Sequence, residues 1–143
     1  MESKTEADVN AVAEWLRDAM NRHDLDELVN CFHPDFDSTF PAHPARAFRG
    51  HEQMRNNWSR IFATVPNLKS TLVRTGRNQN VSWAEWEWTG TRLDGGLFEM
   101  SGVTIQEVRD GSIAWARLYM EPVEERGVGN DQTLTQVLED PRS

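Results

Sequence analysis

Residues 81–122 leave the chain few choices. Three runs, VSWAEWEWTGTR, LFEMSGVTIQEVR and SIAWARLYMEP, alternate apolar and polar residues with period two. Leu93-Asp94-Gly95-Gly96 and Asp110-Gly111 separate them. That pattern specifies antiparallel strands joined by tight hairpins. At about 3.3 Å per residue such strands reach ~35–40 Å. That is long for a small domain, and Gly90 and Gly102 are placed to bend or bulge them.

Parity then divides the residues between two faces. Ala84, Trp86, Trp88, Phe98, Met100, Gly102, Thr104, Ala114, Ala116, Leu118 and Met120 share one face, almost wholly apolar, which must meet the core or a pocket. The opposite face carries Trp83, Glu85, Glu87, Glu99, Ser101, Val103, Trp115, Arg117, Tyr119 and Glu121. Aromatics mixed with both signs of charge suit solvent or a subunit interface.

A chain of 143 residues fits one domain with a sizeable core. The net charge of −8, with no basic stripe, argues against nucleic acid or an anionic membrane as partner. Cys31 is the single cysteine, which excludes an intrachain disulfide and a cysteine-based metal site. His23, His33, His43 and His51 show no HExxH spacing. No run approaches membrane-spanning length, the N-terminus has no apolar leader, and a cytoplasmic location is expected.

Before the hairpins, Val9, Val12, Ala13, Leu16, Ala19 and Met20 predict a helix over 6–22, capped by Thr5 or Asp8. A short helix starts at Asp24 with a capping box, and Pro34 is expected to end it. Phe36 to Phe40 reads as a short strand with Phe36, Ser38 and Phe40 on one side, followed by a proline-bounded loop over 41–49. A third helix opens at Gly50 and is stopped by Pro66, with Met54, Trp58, Ile61, Phe62 and Val65 on one stripe. A strand at 68–75 and a turn at 76–80 complete a domain spanning 1–122. Residues 123–143 read as a linker and tail, with one or two helical turns from Thr133 to Leu138 and a frayed end from Glu139. The fold class is α+β, with helices packed on one face of a curved antiparallel sheet.

This order, with Arg22-His23-Asp24-Leu25-Asp26-Glu27-Leu28, Phe32-His33-Pro34-Asp35-Phe36, Phe48-Arg49-Gly50 and Gly102-Val103-Thr104 through Asp110-Gly111-Ser112-Ile113, resembles the nuclear transport factor 2-like superfamily. The likeness, to its SnoaL-like bacterial branch in particular, covers residues 6–122. It implies a cone-shaped barrel of three N-terminal helices on a strongly curved sheet, a ligand inside the cone, and a homodimer through the outer sheet face at Trp83, Trp115 and Tyr119. The superfamily hosts isomerases, dehydratases, epoxide hydrolases, polyketide cyclases and non-catalytic binding modules, so fold does not give function.

The resemblance also implies what chemistry to look for. The positions where ketosteroid isomerases carry a tyrosine, a base and a carboxylic acid hold Leu16, Phe40 and Thr104, which removes that mechanism. Arg92 and Asp94 have a spacing like that of the epoxide hydrolases but fall in a turn. No histidine falls on the long strands, against a scytalone-type dehydratase. A SnoaL-like cyclase would use an acidic residue ending the last strand and a histidine, which makes His43, Asp37 and Glu121 the acid/base candidates. Against that stand a solvated loop histidine and the outer parity of Glu121. Glu85, Glu87 and Arg117 form either a catalytic cluster or an ion-pair network on the sheet surface.

Phe36, Ser38, Phe40, Trp58, Trp86, Trp88, Met100, Thr104, Leu118 and Met120 are the candidate ligand contacts. Their aromatic rings either stack on a flat ligand or simply fill the cone. Ser38 and Thr104 are the polar interior candidates from the strands. Arg46 and Arg49 flank the mouth. The favoured reading is a cofactor-independent enzyme of cyclase, isomerase or lyase type, acting on a hydrophobic cyclic or polyketide-like compound. The alternative is a non-catalytic dimeric binding or assembly module. No metal or organic cofactor is expected.

Overall fold

A computed structural model describes residues 4–139, except the side chains of residues 4–8 and 10. Helix α1 (Lys4–Arg22) and the short α2 (Leu25–Asn30) lead into strand β1 (Phe32–Thr39). A 3-10 turn (Pro44–Arg46) and the two-residue β2 (Phe48–Arg49) precede α3 (Gly50–Thr64). Strands β3 (Lys69–Asn78), β4 (Val81–Thr91), β5 (Leu97–Arg109) and β6 (Ser112–Pro122) follow, then α4 (Asn130–Glu139). They form one open, curved six-stranded sheet in the order β2-β1-β6-β5-β4-β3. Only β1 and β6 run parallel; the other neighbours are antiparallel. This is the α+β arrangement that the periodicity predicts.

The long strands form because their alternation lets one side meet the helices and the other meet solvent. Ala84, Trp86, Trp88, Ala116 and Met120 are buried, while Trp83 and Tyr119 on the opposite face are 39% and 42% exposed. Gly102 is needed where β5 passes close to the β6 backbone. Its φ is +153°, and a Cβ there would run into the Tyr119 carbonyl.

Several local expectations are corrected. Helix α2 ends at Asn30, not at Pro34, and β1 already begins at Phe32. Pro34 fits inside a strand because the β1–β6 pairing skips from Phe32 to Asp37, so no ladder bond needs its missing N–H. β3 extends to Asn78, leaving Gln79 at φ 55° to turn the chain. Register breaks fall between Leu72 and Arg74 and between Glu107 and Val108, whereas pairing runs unbroken through Gly90 and Gly102. The tail forms a ten-residue helix with no buried residue. The α1 cap expected at Thr5 or Asp8 falls on undescribed side chains; of the end expected to fray from Glu139, Glu139 itself closes α4 and the rest lies outside the described residues.

The start of α2 forms half of the expected capping box. The Asp24 carboxylate accepts from the Glu27 N–H at 3.1 Å, while the Asp24 N–H goes to the Ala19 carbonyl and the Glu27 carboxylate accepts from Trp15 Nε1 instead. The core joins Val12, Met20, Leu28, Phe36, Trp58 and Trp86 between helices and sheet.

Candidate functional site

The inner face does not close completely on the helices. A cavity of about 200 Å³ remains. Strand β1 contributes Phe32, Phe36 and Ser38, β6 Ile113, Ala116, Leu118 and Met120, and β5 Met100, Thr104 and Gln106. Strand β4 adds Trp86 and Trp88; α3 adds Met54, Asn57, Trp58 and Ile61. Leu16 and Met20 on α1, with Phe40, Arg46 and Phe48 around the 3-10 turn, complete the wall. Arg46 is exposed yet belongs to the lining, which puts the opening at that turn. Trp58 meets Trp88 edge-on with ring centroids 5.4 Å apart, and Trp86 lies 6.3 Å from Trp88. The three indoles make a rigid aromatic wall of large contact area.

All ten candidate ligand contacts line this cavity. The three acid/base candidates do not. Asp37 is paired with Arg49 and Trp115 and alternates with Phe36 and Ser38, so it faces away. His43 Nε2 lies 2.6 Å from Glu121 Oε1, a partly exposed pair that ties the 3-10 turn to the end of β6. Leu16, Phe40 and Thr104, which replace the isomerase groups, do line the cavity. Arg92 and Asp94 pair with each other at 3.2 Å in the β4–β5 turn. Glu85 pairs with Arg74 at 2.8 Å on the outer face, a single ion pair that joins neither Glu87 nor Arg117. The rings of His23 and His51 bond to the Leu68 and Phe32 carbonyls, which makes them structural.

The interior polar set is larger than Ser38 and Thr104. Ser70, Ser82 and Gln106 are also buried, and Gln106 lines the cavity. Trp86 Nε1 donates to Thr104 Oγ1 at 2.9 Å, and Thr104 donates to Gln106 Oε1 at 2.8 Å. Gln106 Nε2 donates to Ser82 Oγ at 2.9 Å. These bonds match Trp86, Thr104, Gln106 and Ser82 to one another, so the four serve packing. Ser38 Oγ and Trp88 Nε1, in the cavity lining, and Ser70 Oγ, outside it, are buried with no partner. Orphans of that kind cost about 1–3 kcal/mol each in an empty protein.

Arg46 is the sole ionisable residue of the lining among the described residues. No group of three His, Cys, Asp or Glu side chains comes together as a metal site would, again among the described residues. No helix among them is long and apolar enough to cross a membrane.

A family model for the SnoaL-like domain matches residues 12–116. The chain belongs to the SnoaL-like family. No curated protein matches this SnoaL-like chain. Solved structures do. TsrD from Streptomyces laurentii is 24% identical, with a TM-score of 0.68 over 85% of this chain and 91% of that one. A candidate SnoaL-like polyketide cyclase from Jannaschia sp. CCS1 is 18% identical, with a TM-score of 0.69 over 99% of this chain and 98% of that one. An epoxide hydrolase of the LEH-like type from M. tuberculosis is 16% identical, with a TM-score of 0.68 over 80% of this chain and 84% of that one. At such identities the likeness establishes the SnoaL-like, nuclear transport factor 2-like fold.

Proposed function

We propose that this SnoaL-like chain is a small-molecule pocket protein for a hydrophobic, cyclic or polyketide-like compound, acting as a cofactor-independent enzyme of cyclase, isomerase or lyase type. The apolar cavity walled by Trp58, Trp86 and Trp88 carries this reading. An engineered cavity of about 150 Å³ accepts benzene, so about 200 Å³ suits one or two fused rings. With no acid or base in the lining among the described residues, rate enhancement comes from confinement: the walls hold a flexible substrate in the ring-closing shape. The non-catalytic binding module is the second reading, favoured by that same lack of an acid or base.

Fluorescence titration with naphthalene derivatives tests the cavity. Trp58→Ala and Trp88→Ala should each weaken binding at least about tenfold, the loss of one good aromatic contact. Unchanged affinity in both would remove the reading. Conversion of a flexible, open-chain polyketide-like probe to its cyclised product separates enzyme from binding module.

A cytoplasmic homodimer through Trp83, Trp115 and Tyr119 belongs to the same proposal, supported by the exposure of Trp83 and Tyr119. Light scattering at micromolar concentration should give twice the 16.4 kDa chain mass. A monomer mass would contradict it.

A further inference from the structure

The lining is uneven in its hydrogen-bonding capacity, and the unevenness says what a ligand must bring. Its amide oxygens are already used: Gln106 Oε1 accepts from Thr104, and Asn57 Oδ1 accepts from Gln53 at 2.8 Å. Each unmatched group can give a hydrogen, and the Ser38 hydroxyl can also accept one. The Ser38 hydroxyl and the Trp88 N–H have no partner. The Arg46 guanidinium has no hydrogen-bond or ion-pair partner among the described residues, although the Arg46 backbone N–H donates to the His43 carbonyl at 3.0 Å. The acidic side chain brought to this turn, Glu121, is held by His43 instead.

Arg46 and Ser38 sit at the same edge of the sheet. Ser38 pairs with Phe48, two residues beyond Arg46. A guanidinium stays charged at any physiological pH and presents a planar fork that fits a carboxylate with two hydrogen bonds. A lone cation at the opening of an otherwise apolar cavity therefore selects for the end of the ligand that stays outside.

We propose that the cavity takes an apolar ring compound ending in a carboxylate, with the rings between the tryptophans and the carboxylate on Arg46 at the opening. Ser38, the unpartnered hydroxyl along the same edge, serves a ligand oxygen closer to the rings. This rests on the pocket reading above and adds the chemical class of the ligand. The rest of the protein is acidic, with a net charge of −8, so Arg46 has to overcome a field that disfavours anions. Affinity for an acid should then rise with ionic strength in the absence of Arg46 and fall with it in its presence.

Calorimetry with 2-naphthoate and its neutral analogue 2-acetonaphthone tests this on the full chain. The acid should bind about tenfold tighter than the ketone, as one charge-assisted pair allows. Arg46→Leu should bring the ratio of acid to ketone affinity down to about one, whatever happens to the ketone affinity itself; because Arg46 is exposed, folding is not at stake. Ser38→Ala should weaken binding of 3-hydroxy-2-naphthoate, which carries a ring oxygen, more than that of 2-naphthoate, while raising the melting temperature of the empty protein, a combination that a merely structural serine would not give. An acid that binds no better than the ketone, or a preference that survives Arg46→Leu, overturns the inference and leaves the pocket intact. If neither probe binds, the pocket reading falls, and this inference falls with it.

Discussion

Two sets of polar groups share the inner face of the sheet and differ in whether the protein answers them. Trp86, Thr104, Gln106 and Ser82 pass hydrogen bonds from one to the next. Ser38 and Trp88, on the same face, have none. Ser38, Ala116, Gln106 and Ser82 even lie in one row across β1, β6, β5 and β4. The small Ala116 leaves a gap in that row, so the chain of bonds stops at Gln106. Buried polar groups without partners are rare, and of the three here Ser38 and Trp88 line the cavity while Ser70 lies away from it. The paired set serves stability, and Ser38 and Trp88 are the orphans that the proposed ligand would meet.

Breaking the paired set should have the largest effect. Gln106→Leu strands the Thr104 and Ser82 hydroxyls and should cost about 2–4 kcal/mol, read as a lower urea midpoint at unchanged slope. The unpaired set should respond with the opposite sign. Ser38→Ala should stabilise the empty protein by up to ~1 kcal/mol, seen as a modest rise in melting temperature. Equal destabilisation by both substitutions would end the distinction.

A third buried polar group sharpens the contrast, since it is answered only weakly. The Cys31 thiol is buried and donates to the Glu27 carbonyl at 3.4 Å. Burial, reinforced by the Glu27 charge, pushes its pKa up to about 12. An unfolded chain loses this proton near pH ~8.5. The folded pKa is the higher one, so the thiol's contribution is intact below pH ~8.5 and is lost as pH rises from there towards 12. Stability should fall over that alkaline range more steeply in the natural chain than in Cys31→Ala, and native Cys31 should resist alkylation at pH ~8.

The smallest effect is expected outside the cavity. His43→Ala removes the partly exposed pair with Glu121 and should cost under ~1 kcal/mol, less in high salt. A large loss of ligand affinity in that variant would return His43 to the site.

The inner aromatic face was legible because period two in a strand leaves no freedom. Once Trp86 is inside, Ala84 and Trp88 must be inside too. The paired polar set was not legible. Gln106 continues the inner parity of Thr104, but a glutamine near a strand end reads as solvent-facing, and only the partners supplied by Ser82 and Thr104 make its burial affordable. The register break at Glu107 and Val108 hid Ile113 in the same way, because it exchanges the expected inner Ala114 for its neighbour in the pairing. The bond between His43 and Glu121 joins residues 78 apart in sequence, and no local pattern announces it. Pro34 misled for a simpler reason: a proline ends helices everywhere, but it is tolerated in a strand where the ladder skips.

The most direct measurement is a crystal structure of the protein soaked with 2-naphthoate. The account predicts the rings packed against Trp58, Trp86 and Trp88, the carboxylate on Arg46, and the polar chain from Trp86 to Ser82 undisturbed. A cavity that stays empty at saturating probe, or a naphthoate seated elsewhere with the three indoles in contact only with one another, would contradict it.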